Sequence, residues 1–73
     1  MSVKTRAVGV VIDADELAAE ALASQLRDET RESIAVAKCR HGDYIVMPYA
    51  EWQAVRDSAE AQGSTLYKVA WAS

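Results

Sequence analysis

Residues 33–55 read SIAVAKCRHGDYIVMPYAEWQAV, and the folding of this stretch decides how the rest of the chain is arranged. Two short apolar runs, 33–40 and 43–47, flank the dipeptide His41-Gly42. A glycine at the second central position of a two-residue loop adopts the positive φ that hairpin turns of the primed types require. The stretch therefore predicts a β-hairpin. With a two-residue turn, Arg40 faces Asp43, Cys39 faces Tyr44 and Ala37 faces Val46. Pro48 follows at once; it cannot continue a central ladder, but it suits a first helical turn. Glu51, Trp52 and Val55 then open an amphipathic helix running from residue 48 or 49 to about 62. That helix carries Trp52, Val55 and Ala59 on one side, and Gly63 stands at its C′ stop.

Upstream, residues 1–6 (MSVKTR) are polar and basic, and residues 7–12 (AVGVVI) are β-branched and read as a strand. Gly9 would weaken that strand or admit a close backbone neighbour. Asp13 is placed to cap a helix, with Glu16 three residues later as in a capping box. Ala14, Leu17, Ala18, Ala21, Leu22 and Leu26 form its apolar stripe, ending near Asp28. Asp15, Glu16, Ala19, Glu20, Ala23 and Arg27 fall on the other, solvated side. Residues 28–32 (DETRE) form a polar joint, either a frayed last turn or a second short helical piece. Downstream, residues 64–73 (STLYKVAWAS) set Tyr67, Val69 and Trp71 against Lys68 and Ala70, which suits an edge strand or an extended segment.

The whole chain of 73 residues reads as one α+β domain, 1–73, with a core over 7–62 and a tail over 64–73. Its hydrophobic share of 51% suffices for a core, but much of it is alanine, which buries little area per residue. A chain of this size gains from burying more surface against a second copy, so a homodimer is expected. A single cysteine, Cys39, excludes an internal disulfide and a CxxC metal pair. No basic lead followed by a long apolar run is present, so neither a signal peptide nor a membrane span is expected, and the location expected is cytoplasmic. The net charge of −3 argues against strong nonspecific binding of polyanions, though not against a local basic patch.

Catalytic patterns are poor. His41 is the sole histidine and falls in a turn, Cys39 reads as a small strand filler, and no glycine-rich phosphate loop occurs. No enzyme activity and no cofactor are expected. The cations gather at two places: Lys4 and Arg6 before the first strand, and Lys38 and Arg40 with His41 at the hairpin tip. Strand parity sets Lys38 and Arg40 on one face. As plain structure, such charges discourage edge aggregation; as a site, they form a phosphate-contacting patch that dimer symmetry would double. Tyr67 and Trp71 either close the second helix's face beside Trp52 or anchor a protein partner.

The order strand, helix, hairpin, helix resembles the Phd/YefM (prevent-host-death) antitoxin family. The likeness is carried by AKCRHGDYIVMPYAEWQAV: the turn glycine Gly42, then Val46, Pro48, Glu51, Trp52 and Val55, with residues 13–26 as the preceding helix. It spans roughly residues 8 to 59. The resemblance implies a dimer whose sheet is completed across two copies and which binds operator DNA. It also implies a C-terminal extension that neutralises a toxin. On this basis Lys4, Arg6, Lys38, Arg40 and His41 are the expected DNA contacts, and Leu66, Tyr67, Val69 and Trp71 the expected partner contacts. The chain departs from the family at its first helix, which usually opens Ser-Glu-Ala-Arg. Here Asp13, Ala14, Asp15 and Glu16 stand there, so an acid replaces the arginine. That departure, together with the aromatic tail, motivates a second expectation, a protein-interaction module on the same scaffold that has lost DNA binding and binds a protein partner through that tail.

Overall fold

The computed structural model describes residues 11–72. These form β1 (Val11–Asp13), α1 (Glu16–Thr30), β2 (Ile34–Lys38), β3 (Tyr44–Pro48), α2 (Tyr49–Ala61) and β4 (Thr65–Ala70). The expected order of strand, helix, hairpin and helix is present, and the tail is an edge strand. The strands make one sheet in the order β1-β3-β2-β4, with antiparallel pairing throughout. Of the expected first strand, the residues before Val11, Gly9 among them, lie outside the described residues, as do Lys4 and Arg6.

A helix covers each face of the sheet, which is why Ile34, Ala35, Val36 and Ala37 are all buried with no polar residue between them. Side-chain size sorts the two faces. On the first, Ile34, Val36, Tyr44 and Val46 meet Ala19, Ala23 and Leu26 of α1. On the second, Ala35, Ala37 and Met47 receive the indole of Trp52 from α2. Bulky sheet residues thus meet two helix alanines and a leucine on one side, and two sheet alanines and a methionine meet a large ring on the other. Interdigitation of this kind is what brings a small core to native density.

The hairpin closes differently from the two-residue expectation. Cys39 N donates to Asp43 O at 2.8 Å and Gly42 N to Cys39 O at 3.0 Å, so the loop has three residues, Arg40-His41-Gly42. Gly42, at φ +94°, is the positive-φ residue that follows the turn and forms its bulge. The extra residue moves the register by one: Ala37 pairs with Ile45, Val36 with Val46 and Lys38 with Tyr44. Arg40 belongs to the turn and does not face Asp43. The slip has a packing reason, because it brings both valines onto the α1 face and leaves the alanines together for Trp52. Pro48 ends β3. Since Tyr49 N donates to Ser33 O, the proline's missing N–H lies on the side away from β2 and costs that ladder nothing.

α1 starts two residues later than expected. Asp15 is its N-cap, its carboxylate accepting from Leu17 N at 3.0 Å, while Asp13 belongs to β1. The helix runs unbroken through Thr30, absorbing most of the polar joint. Its buried stripe is also rotated. Ala19 and Ala23 are buried with Leu26, and Leu22 packs beside them, whereas Leu17 is 75% exposed and Ala14 and Ala21 lie in solvent. The two buried alanines let the backbone approach the branched face of the sheet, and they turn Glu16 and Glu20 from the expected solvated side toward β4.

Arg31 closes α1 at φ 61°, its N–H bonded to Arg27 O. A side chain in this left-handed conformation is strained by its Cβ, and glycine is not. Arg31→Gly is expected to raise stability by about 0.5–1 kcal/mol. A urea midpoint that rises at unchanged slope would show it; a lowered midpoint would contradict it.

α2 ends as expected. Ser64 N donates to Ala59 O at 2.9 Å and Gly63 N to Glu60 O at 3.0 Å, with Gly63 at φ +96°. This is the paired 6→1 and 5→2 bonding of a Schellman stop. Of the face expected on α2, Trp52 is buried and Ala59 packs against its cluster, but Val55 stays 43% exposed.

β4 does not alternate simply. A bulge opposite the Val36–Ala37 step leaves Tyr67 without a partner in β2, with Leu66 paired to Ala37 and Lys68 to Val36. The extra residue puts Tyr67 and Lys68, neighbours in sequence, both toward α1. Tyr67 therefore parts from Val69, which pairs with Ala35 on the α2 face. Trp71 packs edge-on against Tyr49, with centroids 5.1 Å apart.

Candidate functional site

Two places hold the residues singled out by sequence. The first is the hairpin tip. Lys38, at the end of β2, sets its ammonium 5.9 Å from the centroid of Tyr44, its partner across the strand pair. Arg40 lies in the turn and its side chain crosses to Gly63: a Cβ built on that glycine would sit 2.7 Å from Arg40 Nε. Strand parity fails here because the turn takes up Arg40. The two cations thus leave the tip in different directions, with exposed His41 between them at the apex. Cys39 is half-buried and accepts from Ser64 Oγ at 3.7 Å, which ties the hairpin base to the start of β4.

The second place is the seam between α1 and β4. Tyr67 donates its hydroxyl to Glu16 Oε2, and Tyr44 donates to Glu16 Oε1 at 3.4 Å. The two phenol rings meet edge to face with centroids 5.7 Å apart. One helical turn on, Lys68 Nζ is 3.0 Å from Glu20 Oε1. Glu16 and Glu20, four apart on α1, therefore grip consecutive residues of β4. The hydrogen bond from Tyr67, with smaller help from Tyr44 and the charge of Lys38, holds the Glu16 carboxyl below its usual value. The same bond, with desolvation and the carboxylate's charge, pushes the Tyr67 hydroxyl up to about 12.

These shifts fix a pH window. Glu16 binds its proton less readily when folded, so its contribution is complete above the ordinary carboxylate range and is lost as pH falls through the lowered value. Tyr67 is the reverse case: its contribution is complete below pH 10.0 and is lost as pH rises through about 12. Glu16→Gln is expected to return Tyr67 toward 10.0, read from its ring resonances in an NMR titration. Tyr67 still titrating near 12 in that variant would show that another group holds its proton.

Sequence reasoning placed neither acid here. Their partners lie 51 and 48 residues away, and the bulge that aligns them leaves no periodic trace. Ser33 was missed as well: its Oγ accepts from Ala72 N at 3.0 Å and fastens the end of β4. The expected partner contacts all lie on or just beyond β4. Trp71 is 60% exposed, Tyr67 45% and Leu66 36%, with Val69 half-buried.

Among the described residues, no three His, Cys, Asp or Glu side chains gather as a metal site, and no helix is long and apolar enough to cross a membrane. Comparison of the chain with protein-family models, curated proteins and solved structures gives no match.

Proposed function

We propose that this chain is an antitoxin-like small regulator of the Phd/YefM kind: a homodimer that binds operator DNA through its hairpin tip, neutralises a protein toxin, or does both. The observation that supports this reading best is the junction of hairpin and helix. A positive-φ glycine sits at the tip, the aliphatic strand ends at Pro48, and the helix that starts there buries Trp52. These are the features on which the resemblance rests. Lys38, Arg40 and His41 supply cationic and hydrogen-bonding groups at one exposed corner, suited to phosphate contacts that position a duplex. Lys4 and Arg6 complete the proposed set.

The test is binding to the DNA upstream of the chain's own reading frame. A retarded complex that weakens steeply with salt is expected, and Lys38→Ala is expected to reduce the slope of log K against log salt by about 1. No complex even at low salt would end the DNA-binding half of the proposal.

One observation favours the alternative, a protein-interaction module without DNA binding. Glu16, which stands where the family carries arginine, is engaged by Tyr67 and Tyr44 and turned toward β4. In that reading β4 takes the partner, with Trp71 as anchor. Trp71→Ala would then abolish capture of a purified toxin encoded beside this chain and leave the fold intact.

A further inference from the structure

We infer that β4 is a strap: it leaves the sheet and closes again while α1, β2, β3 and α2 stay folded. Its hinge is the corner at Gly63 and Ser64, and the moving part is residues 65–72.

Burial sets this strand apart from its neighbours. α1, β2, β3 and α2 each place at least one side chain in the core, and β4 places none. Of its residues only Ala70 packs against either buried cluster. Both cores are therefore assembled without it. What holds β4 is a row of surface ties. Tyr67 donates to Glu16, Lys68 pairs with Glu20, Trp71 rests edge-on against Tyr49, and Ala72 N donates to Ser33 Oγ. Water replaces polar ties of this kind at small net cost. The first end is held differently. Ser64 is buried, its N–H bonded to Ala59 O and its hydroxyl to Cys39 Sγ, and the Arg40 side chain lies against Gly63. The strand is rooted at the hinge and only fastened beyond it.

Hydrogen-bond parity shows what the strap covers. Cys39 N bonds to Asp43 O and Tyr49 N to Ser33 O, so the odd residues of β2 spend their backbone groups on β3. The even residues, Ile34 and Val36, bond to their β4 partners Ala70 and Lys68, while Val69 and Trp71 direct their own groups outward. Residues 34–37 read IAVA, with no charge, proline or bulge on the β3 side to blunt the edge they would form. Closed, β4 keeps that apolar edge covered. Open, it bares the N–H and C=O groups of Ile34 and Val36 on an otherwise intact domain.

Amide hydrogen exchange of the full chain, followed by NMR under native conditions, tests this, because alternate amides of β2 report on different ladders. Those of Ile34, Val36, Lys68 and Ala70 exchange when β4 opens; those of Ala35, Ala37, Ile45 and Met47 exchange only when β2 and β3 part. After correction for intrinsic rates, the first set is expected to exchange at least about tenfold faster than the second. Urea below the unfolding transition should speed the second set more steeply, since parting β2 from β3 exposes more surface than freeing one strand. Tyr67→Phe combined with Lys68→Ala removes both ties to α1 and should speed the first set at least about threefold. Equal protection of the two sets, with equal response to urea, would mean that β4 leaves only with the whole domain and would overturn the strap. Unchanged exchange of the first set in the double variant would overturn the role given to Glu16 and Glu20 in holding it shut.

Discussion

Trp52→Ala is expected to abolish the cooperative unfolding transition of this domain at 25 °C. Of the described α2 side chains only Trp52 is buried, at 1% exposure, and it fills the space above Ala35, Ala37 and Met47. The alanines cannot grow into the vacancy, and the backbone above them is fixed by β2 pairing on both sides. Truncating a buried tryptophan costs about 3–5 kcal/mol. A single core of this size supplies a net stability of about the same amount. The loss would leave only the half-buried Tyr49 and Ala59 to hold α2 against this cluster. Val55→Ala, next to Trp52 on the helix surface but 43% exposed, is the control and should change stability by less than about 0.5 kcal/mol. Urea titration by circular dichroism reads both. A Trp52→Ala variant that unfolds sharply with nearly the wild-type midpoint would mean that α2 is held by something other than its indole.

The second large effect is expected at Gly63, where two constraints coincide. Its φ of +96° is strained for any side chain, and the space a Cβ would need is occupied by Arg40: Nε at 2.7 Å, Cβ at 3.0 Å and Nη2 at 3.1 Å. Gly42 has nearly the same φ, +94°, with no atom within 4 Å of its would-be Cβ. The pair therefore separates backbone strain from crowding within one protein. Gly42→Ala should cost about 1 kcal/mol, from conformation alone. Gly63→Ala should cost about 2–3 kcal/mol, because the Arg40 side chain must also leave its place. Combining Gly63→Ala with Arg40→Ala removes the guanidinium but leaves the 3.0 Å Cβ contact, so only part of the excess should return. Equal costs at the two glycines would show that Arg40 does not rest on this corner.

How much of this was legible beforehand follows from the range of each interaction. Both helices, the hairpin, the first strand's end and the Gly63 stop announce themselves locally, through periodicity and through residues with special backbone preferences. The turn did not, because His41-Gly42 reads equally as a two-residue loop or as the end of a three-residue one. What separates the two is the match of Val36 with Val46 across the sheet, a tertiary preference. The stripe of α1 was misread for a similar reason. By hydrophobicity Leu17 belongs inside and Ala19 and Ala23 outside, but the sheet face built of Ile34, Val36 and Val46 takes the two alanines against its branched side chains, with Leu26 and Leu22 beside them. The bulge at Tyr67 is silent in the sequence, and with it the grip of Glu16 and Glu20 on β4. Of the residues singled out for binding, Lys38, Arg40 and His41 do share one corner. The single cationic face assigned to the first two does not form, because it depended on the register.

That register is the point on which the faces, the seam and the outward groups of β4 all depend, and cross-strand NOEs between Hα protons measure it directly. Non-hydrogen-bonded antiparallel pairs bring Cα atoms to about 4.5 Å, close enough for strong Hα–Hα contacts. The pairing of β2 with β3 predicts such contacts for Val36 with Val46 and for Lys38 with Tyr44. Contacts of Ala37 with Val46 and of Cys39 with Tyr44 would instead mean a two-residue turn, with the two faces of β2 exchanged relative to β3.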